Sequence, residues 1–252
     1  RIPAVEFKNV SLTYKGSMAP SVDGISFKAM KGQTIGIIGG TGSGKSSFVN
    51  LIPRLYDATE GEVLVDGVNV KDYSIEALRD KVGIVMQKAV LFKGTIRENM
   101  RMGNKTATDE QIDEALAISQ SKEFVDSKEG RLDYQIEQGG KNLSGGQRQR
   151  LTIARAIVKK PDVLILDDSA SALDFATDAA LRKAISGMDN SPTVFIVSQR
   201  AASLMHADLI IVLEDGQVAG MGTHEQLLDN CEIYKEIYDS QFKKEGSQGG
   251  VA

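Results

Sequence analysis

Hydrophobic positions between residues 4 and 38 fall in short bursts at 5–7, 11–14, 25–27 and 34–38. Gly and Asn turn signals separate them, which predicts a run of short strands. Helical periodicity begins at Lys45, and further strands are predicted over 61–67 and 82–86. From about residue 88 to 160 the chain reads as helices. Thr108 and Gln111 form a capping-box pair, and Ile112, Ala115 and Leu116 follow at helical spacing. After Pro161 the alternation returns, with apolar strands at 163–166, 193–198 and 209–213 and a helix over 173–185. Strands apolar throughout suit a parallel sheet covered on both faces. The last segment, 223–242, puts Ile233, Ile237 and Tyr238 on one helical stripe, predicted to pack on the body of the domain. The whole pattern is α/β with a helical insert and no internal repeat.

Composition narrows the function classes. At 252 residues, 41% hydrophobic and 25% charged, the chain is an ordinary globular one. Its 30 basic and 34 acidic residues give a net charge of −4, so the basic footprint of a nucleic-acid binder is missing and no nucleic-acid partner is expected. The single cysteine, Cys231, cannot form an internal disulfide, which suits a reducing cytosol. The longest apolar runs, such as 35–38 and 209–213, fall far short of the ~20 residues that cross a bilayer as a helix, so a membrane domain is absent from this chain. It begins at Arg1 without Met and ends in a Gly-rich stretch, leading to the expectation of a piece of a longer protein with a flexible tail over 244–252.

The candidate chemistry starts at Gly39-Gly40-Thr41-Gly42-Ser43-Gly44-Lys45-Ser46. This run matches G-x-x-x-x-G-K-[ST] and lies between an apolar strand and a helix. Such a loop forms a nest of inward-pointing amides for an anion, here predicted from Gly40, Thr41, Gly42, Ser43, Gly44, Lys45, Ser46 and Ser47. Lys45 would reach the β- and γ-phosphates of ATP, and the Ser46 hydroxyl would ligate Mg²⁺, which takes hard oxygen donors. The buried strand at 163–166 runs into Asp167, a second candidate Mg²⁺ ligand. An Asp at a strand end is on its own more often a helix N-cap, and it is the phosphate loop upstream that favours the metal role.

Leu143-Ser144-Gly145-Gly146-Gln147, followed by Arg148-Gln149-Arg150, resembles the signature of the ABC ATPase family. Ser144 and Gln147 also fit a capping box, so a plainly capped helix is the simpler alternative for the local pattern. The resemblance implies a P-loop NTPase fold: a RecA-like α/β core with an N-terminal antiparallel β subdomain and an inserted α-helical subdomain. On this reading the core spans 1–87 and 161–243, and the helical subdomain 88–160. It further implies a head-to-tail dimer in which Ser144, Gly145, Gly146 and Gln147 close over ATP held by a second nucleotide-binding domain.

Other positions match the family one by one. Tyr14 matches the aromatic that stacks on adenine, although a core tyrosine is the ordinary alternative. Gln87 matches the glutamine that touches Mg²⁺ and couples to the transport domains, and Asp174 the D-loop acid that contacts the opposite subunit. The segment Leu91-Phe92-Lys93-Gly94-Thr95-Ile96-Arg97-Glu98-Asn99 is similar to the exporter branch, in which membrane-spanning helices precede this domain on the same polypeptide. That implies a place on the cytoplasmic face of the cell membrane, with transmembrane domains as partners. Residues 134–140 occupy the position of the exporter coupling loop, with Gln135 in place of its usual acid.

Two positions depart from the family pattern in the catalytic machinery. Asp168 stands where the family carries a Glu that orients the attacking water. The shorter side chain retracts its carboxylate by about 1.5 Å, and a misplacement of about 1 Å can cost roughly a hundredfold in rate. Gln199 stands where the family carries a His against the γ-phosphate; its amide can donate a hydrogen bond but cannot exchange a proton near neutral pH. His206 and His224 lie at other places in the motif order. The expectation is an ATPase with low activity at its own site, paired with a different subunit whose site this chain's signature completes. A nucleotide-gated regulatory module that never hydrolyses its own ATP is the alternative.

Overall fold

The two strands predicted at 5–7 and 11–14 are one continuous strand, β1 (Val5–Leu12). Asn9, which carries a turn signal in the sequence, takes a φ of 49° within the strand. The register against both neighbours slips around it. This is a β-bulge, in which an extra residue bends the strand without ending it. β1 pairs antiparallel with β2 (Val22–Ala29) and β4 (Glu60–Val65), and β4 turns into β5 (Val68–Asn69), giving the order β2-β1-β4-β5. β4 stops two residues before the predicted end because Asp66 and Gly67, at φ 51° and 78°, form a two-residue hairpin turn.

The structure, a computed structural model, describes residues 1–88 and 90–248, with side chains described only to residue 243 in the last helix. It forms two compact units, 1–75 with 193–252, and 76–192. In the first unit, β3 (Thr34–Gly39) lies between β10 (Thr193–Val197) and β11 (Leu209–Glu214), parallel to both. β12 (Gln217–Gly222) returns antiparallel to β11. It was not predicted, since Ala219, Gly220 and Gly222 leave it without an apolar run. Helix α1 (Lys45–Asn50) follows β3 and buries Phe48 between Phe7 and Phe27, with ring centroids 4.8 and 5.3 Å away. Phe27 in turn meets Phe195 of β10 at 6.1 Å. This aromatic cluster joins the antiparallel sheet, α1 and the parallel strands, and so holds the β3–α1 loop in place.

The predicted C-terminal helix is two helices, α8 (His224–Asn230) and α9 (Glu232–Gln248), broken at Cys231, which is extended at φ −125° and ψ 102°. The break resets the helical phase. Tyr234 is the fully buried anchor, while Ile233, Ile237 and Tyr238 are half-buried. His224 Nδ1 lies 2.5 Å from the Tyr234 hydroxyl. Of the predicted tail 244–252, α9 carries the main chain to Gln248, and 249–252 lie outside the described residues.

In the second unit, β6 (Val82–Val85), led in by α2 (Ile75–Lys81), runs parallel to β9 (Val163–Asp167). β7 (Gly94–Thr95) and β8 (Gln135–Ile136) form a small antiparallel pair. The helices are α3 (Ile96–Arg101), α4 (Asp109–Ile118), α5 (Lys122–Asp126), α6 (Gly145–Ile157) and α7 (Phe175–Ser186). The Thr108–Gln111 capping box is present, with Ile112, Ala115 and Leu116 buried. β6, β9 and α7 group with the helices here, so this unit is longer than the 88–160 insert read from the sequence. Among the described residues no helix is long and apolar enough to cross a membrane.

Two predictions follow from this packing. Phe48→Ala should lower the unfolding free energy by about 3–5 kcal/mol in a denaturant titration, because its ring lies inside the cluster that seats α1. Burial pushes the His224 imidazole below its ordinary value. The unfolded chain therefore binds more protons than the folded one as pH falls below about 6.5, and stability drops with it. His224→Gln should show a shallower loss of Tm between pH 7.5 and 5 than the unaltered chain.

Candidate functional site

The loop between β3 and α1 is shaped by two glycines that admit no side chain. A Cβ on Gly39 would stand 2.4 Å from the Leu213 carbonyl oxygen. One on Gly44, which sits at φ 99°, would stand 2.3 Å from that of Ser21. Between them, the space beside Gly40 and Gly42 is open. Ser43 N–H donates to the Gly40 carbonyl at 3.1 Å, and the Ser43 carbonyl accepts from Gly216 N–H at 2.9 Å, bracing the loop on the β11–β12 turn. The Ser43 hydroxyl oxygen is buried without a hydrogen-bond partner.

The Lys45 ammonium donates to the carbonyls of Gly39 and, at 3.3 Å, Gly40, so the cation is folded over the loop. Residues 39–47 contain no acid. An open glycine cradle with one flexible cation fits a phosphate chain, since the lysine stem can swing from those carbonyls to an anion. Helix α1 has only 6 residues, so its dipole is a minor contribution beside the loop amides.

Tyr14 is half-buried at the far end of this loop rather than in the core. Its hydroxyl lies 2.6 Å from Ser47 Oγ, and its ring meets Tyr56 edge-on at 4.9 Å. Tyr56 escaped the sequence reading because nothing local links it to a residue 42 positions away. Ser46 is exposed beside the loop, and Gln199 is exposed just beyond β10. The first unit thus brings together Tyr14, the loop 40–47 and Lys45.

In the second unit, Asp167 ends β9 with 7% of its surface exposed and does not cap the following helix. That cap is Asp174, whose carboxylate accepts from Thr177 N–H at 2.7 Å. This bond holds the Asp174 carboxyl below its usual range. Asp168 takes a left-handed φ of 51°. Asp tolerates that region better than most residues, because its short polar side chain can bond locally. Gln87 is exposed two positions beyond β6.

Ser144 and Gln147 form the predicted capping box at the start of α6, with reciprocal hydrogen bonds of 3.2 and 3.1 Å. The glycines between them are not demanded by this chain's packing. A Cβ on Gly145 or Gly146 would find its nearest neighbour at 3.8 or 3.4 Å, and neither residue has a positive φ. They are the first two helical positions after the Ser144 cap, and they leave the helix tip bare of side chains. Gln149, which sequence reasoning missed, ties this helix to the 171–174 segment. Its side chain accepts from Ala172 N–H at 3.0 Å and donates to Ser171 Oγ at 3.3 Å.

The 91–99 segment is organised by Asn99, which is fully buried and bonds to Phe92 N–H, Phe92 O and Thr95 O at 2.9, 2.9 and 3.0 Å. Met86, Val90 and Phe92 are left about half exposed. Gln135 is exposed, its carbonyl accepting from the Asn142 amide at 2.9 Å. Among the described residues no three His, Cys, Asp or Glu side chains gather to hold a metal. Ser46 in the first unit, and Gln87 and Asp167 in the second, each carry a hard oxygen donor of the kind that Mg²⁺ takes.

Residues 22–171 match the family model described as ABC transporter. The uncharacterized ABC transporter ATP-binding protein YfiB of Bacillus subtilis is 43% identical over 97% of this chain and 42% of its own length. A putative multidrug export ATP-binding/permease protein of Staphylococcus aureus is 38% identical over 94% of this chain and 41% of its own. Among solved structures, a bacterial Atm1-family ABC exporter with ATP bound matches with a TM-score of 0.90 and 32% identity, over 96% of this chain and 42% of that one. The chain therefore spans about two-fifths of the length of these relatives. The shared fold is the α/β P-loop ATPase fold predicted from the sequence.

The glycines of the two candidate surfaces should respond oppositely to substitution. Gly44→Ala should lower Tm, since both its φ and the Ser21 carbonyl oppose a side chain. Gly145→Ala should leave Tm unchanged or raise it, by up to about 1 kcal/mol of helix stability measured in denaturant.

Proposed function

The chain belongs to the ABC transporter family, and from that premise we propose that it is the ATP-binding motor domain of an exporter, working at the interface of two such domains. The observation that carries this reading is the pairing of a glycine-shaped anion cradle at 39–47 with the bare glycine tip of α6, which this chain's own packing leaves unfilled. A head-to-tail partner would use both: each domain's Ser144-Gly145-Gly146-Gln147 tip would cover phosphates held by the other.

In this role the amides of Gly40 to Ser47 bind the phosphates, Lys45 neutralises the terminal ones, and Tyr14 offers a face to adenine. Ser46, Gln87 and Asp167 would hold Mg²⁺, which when bound neutralises charge on the phosphate oxygens. Phosphoryl transfer depends on placing the attacking water and on meeting the charge that develops. Asp168 would orient that water from a shorter side chain, and Gln199 would offer the γ-phosphate an amide hydrogen bond without a titratable proton. We therefore read this chain's own site as slow. The partner would be a different subunit whose faster site this chain's signature completes.

The relatives are more than twice as long, and one is named as a permease as well as an ATP-binding protein. That supports transmembrane domains as partners and a position on the cytoplasmic face of the membrane. The exposed Met86, Val90 and Phe92 around Gln87 offer them an apolar contact. A regulatory reading, in which the chain binds ATP without hydrolysing it, draws on the same two altered residues.

Steady-state turnover distinguishes these readings. The Asp168→Glu, Gln199→His double variant should hydrolyse MgATP at least about a hundredfold faster than the unaltered chain, as expected for restoring reach of about 1 Å. Equal rates would refute the slow-site assignment. ADP appearing in this chain's own site at the pace of transport, in the assembled protein, would rule out the regulatory reading.

A further inference from the structure

The residue assigned to the γ-phosphate, Gln199, has its main chain held from two sides within the first unit. Upstream, Ser198 N–H donates to the Ile37 carbonyl of β3 at 3.2 Å, two residues before the glycine cradle begins. The Ser198 hydroxyl then accepts from Arg200 N–H at 3.0 Å. Downstream, a side chain from the far end of the sequence spans the segment. Gln241 on α9 donates through Nε2 to the Gln199 carbonyl at 2.5 Å, and its Oε1 accepts from Ala201 N–H at 2.8 Å.

One carboxamide therefore does for this segment what a neighbouring strand does in a sheet: it satisfies a carbonyl and an amide two residues apart. The Gln199 carbonyl and the Ala201 amide are thus both held, while the Gln199 side chain stays exposed. A primary amide can do this because it carries a donor and an acceptor on one planar group. The chain length matters too, because Asn would fall short by about 1.5 Å. Gln241 is itself well anchored. It lies seven positions, or two helical turns, beyond the fully buried Tyr234 and so shares its face of α9.

We propose that Gln241 is a positioning residue, which locks the Gln199 main chain so that the Gln199 amide meets the terminal phosphate of the bound nucleotide. The inference rests on the nucleotide-site reading given above. It adds that α9, through Gln241, sets how well the site distinguishes a triphosphate from a diphosphate. By linkage, a triphosphate that engages Gln199 tightens the clamp in return.

The test uses the 252-residue chain in three forms: unaltered, Gln241→Ala and Gln241→Glu. Two measurements are made on each, hydrogen exchange at the Ala201 amide and equilibrium titration with MgATP and with MgADP. In Gln241→Ala, Ala201 should exchange about tenfold faster, the equivalent of one lost hydrogen bond, with residues 194–197 unchanged. The ratio of MgATP to MgADP affinity should fall about fivefold to tenfold while MgADP affinity itself holds. Gln241→Glu keeps the acceptor for Ala201 but turns an acceptor instead of a donor on the Gln199 carbonyl, so it should keep Ala201 protected and leave the ratio as low as in Gln241→Ala.

A side chain with a merely structural role would lower Tm and leave the nucleotide ratio alone. An unchanged ratio in both variants, or unchanged exchange at Ala201 in Gln241→Ala, overturns the proposal. Should Gln241→Ala fail to fold, the split between protection and ratio in Gln241→Glu decides. If the unaltered chain binds neither nucleotide, it is the nucleotide-site reading that fails, and exchange at Ala201 still reports whether the clamp exists.

Discussion

Close backbone approach at two glycines governs the candidate site. Gly39 ends β3 against the Leu213 carbonyl, and Gly44 opens α1 against the Ser21 carbonyl, each at a distance that excludes even a methyl group. The chain between them must bow outward, and that bow is the anion cradle. Everything that supports it does so by holding those two contacts. The Phe7, Phe27 and Phe48 cluster seats α1 from beneath. The β11–β12 turn braces Ser43 through Gly216. Lys45 is placed over the opening by the same geometry, because it is the first residue of the helix that Gly44 begins.

The second unit presents the opposite use of glycine. Gly145 and Gly146 are free of close neighbours and of unusual backbone angles, so the fold gains nothing from them. What they provide is an uncluttered helix N-terminus, with Ser144 and Gln147 satisfying each other across it. A helix tip this bare is open to approach by something outside the chain. This is the physical content of the proposed dimeric reading, in which the phosphate loop and the signature of one chain would serve different nucleotides.

Features encoded by short spacing were legible in the sequence. The glycine loop between β3 and α1, the buried strand ending in Asp167 and the capping boxes at Thr108 and Ser144 each depend on residues within a few positions, where pattern and geometry coincide. Features made by distant pairings were not. Asn9 looked like a turn until two neighbouring strands showed it to be a bulge. Tyr56 beside Tyr14, Gln149 beside Ser171 and Gln241 beside Gln199 carry no local mark, because a polar side chain announces its partner only once the chain has folded. The helix stripe at Ile233, Ile237 and Tyr238 misplaced the anchor for a related reason: one extended residue, Cys231, restarts the helix and turns Tyr234 inward. The left-handed backbone at Asp168 was likewise invisible.

The central claim is that the cradle beside Lys45 binds the phosphates of ATP with magnesium. Isothermal titration of the folded chain with ATP, run with Mg²⁺ and with Mg²⁺ chelated, tests it most directly when repeated on Lys45→Ala. The account predicts saturable one-site binding that needs the metal and is weakened at least about a hundredfold by the substitution, as expected for removing a charge-assisted contact to phosphate. Binding of equal strength in both chains, or none in a chain shown to be folded, would contradict it.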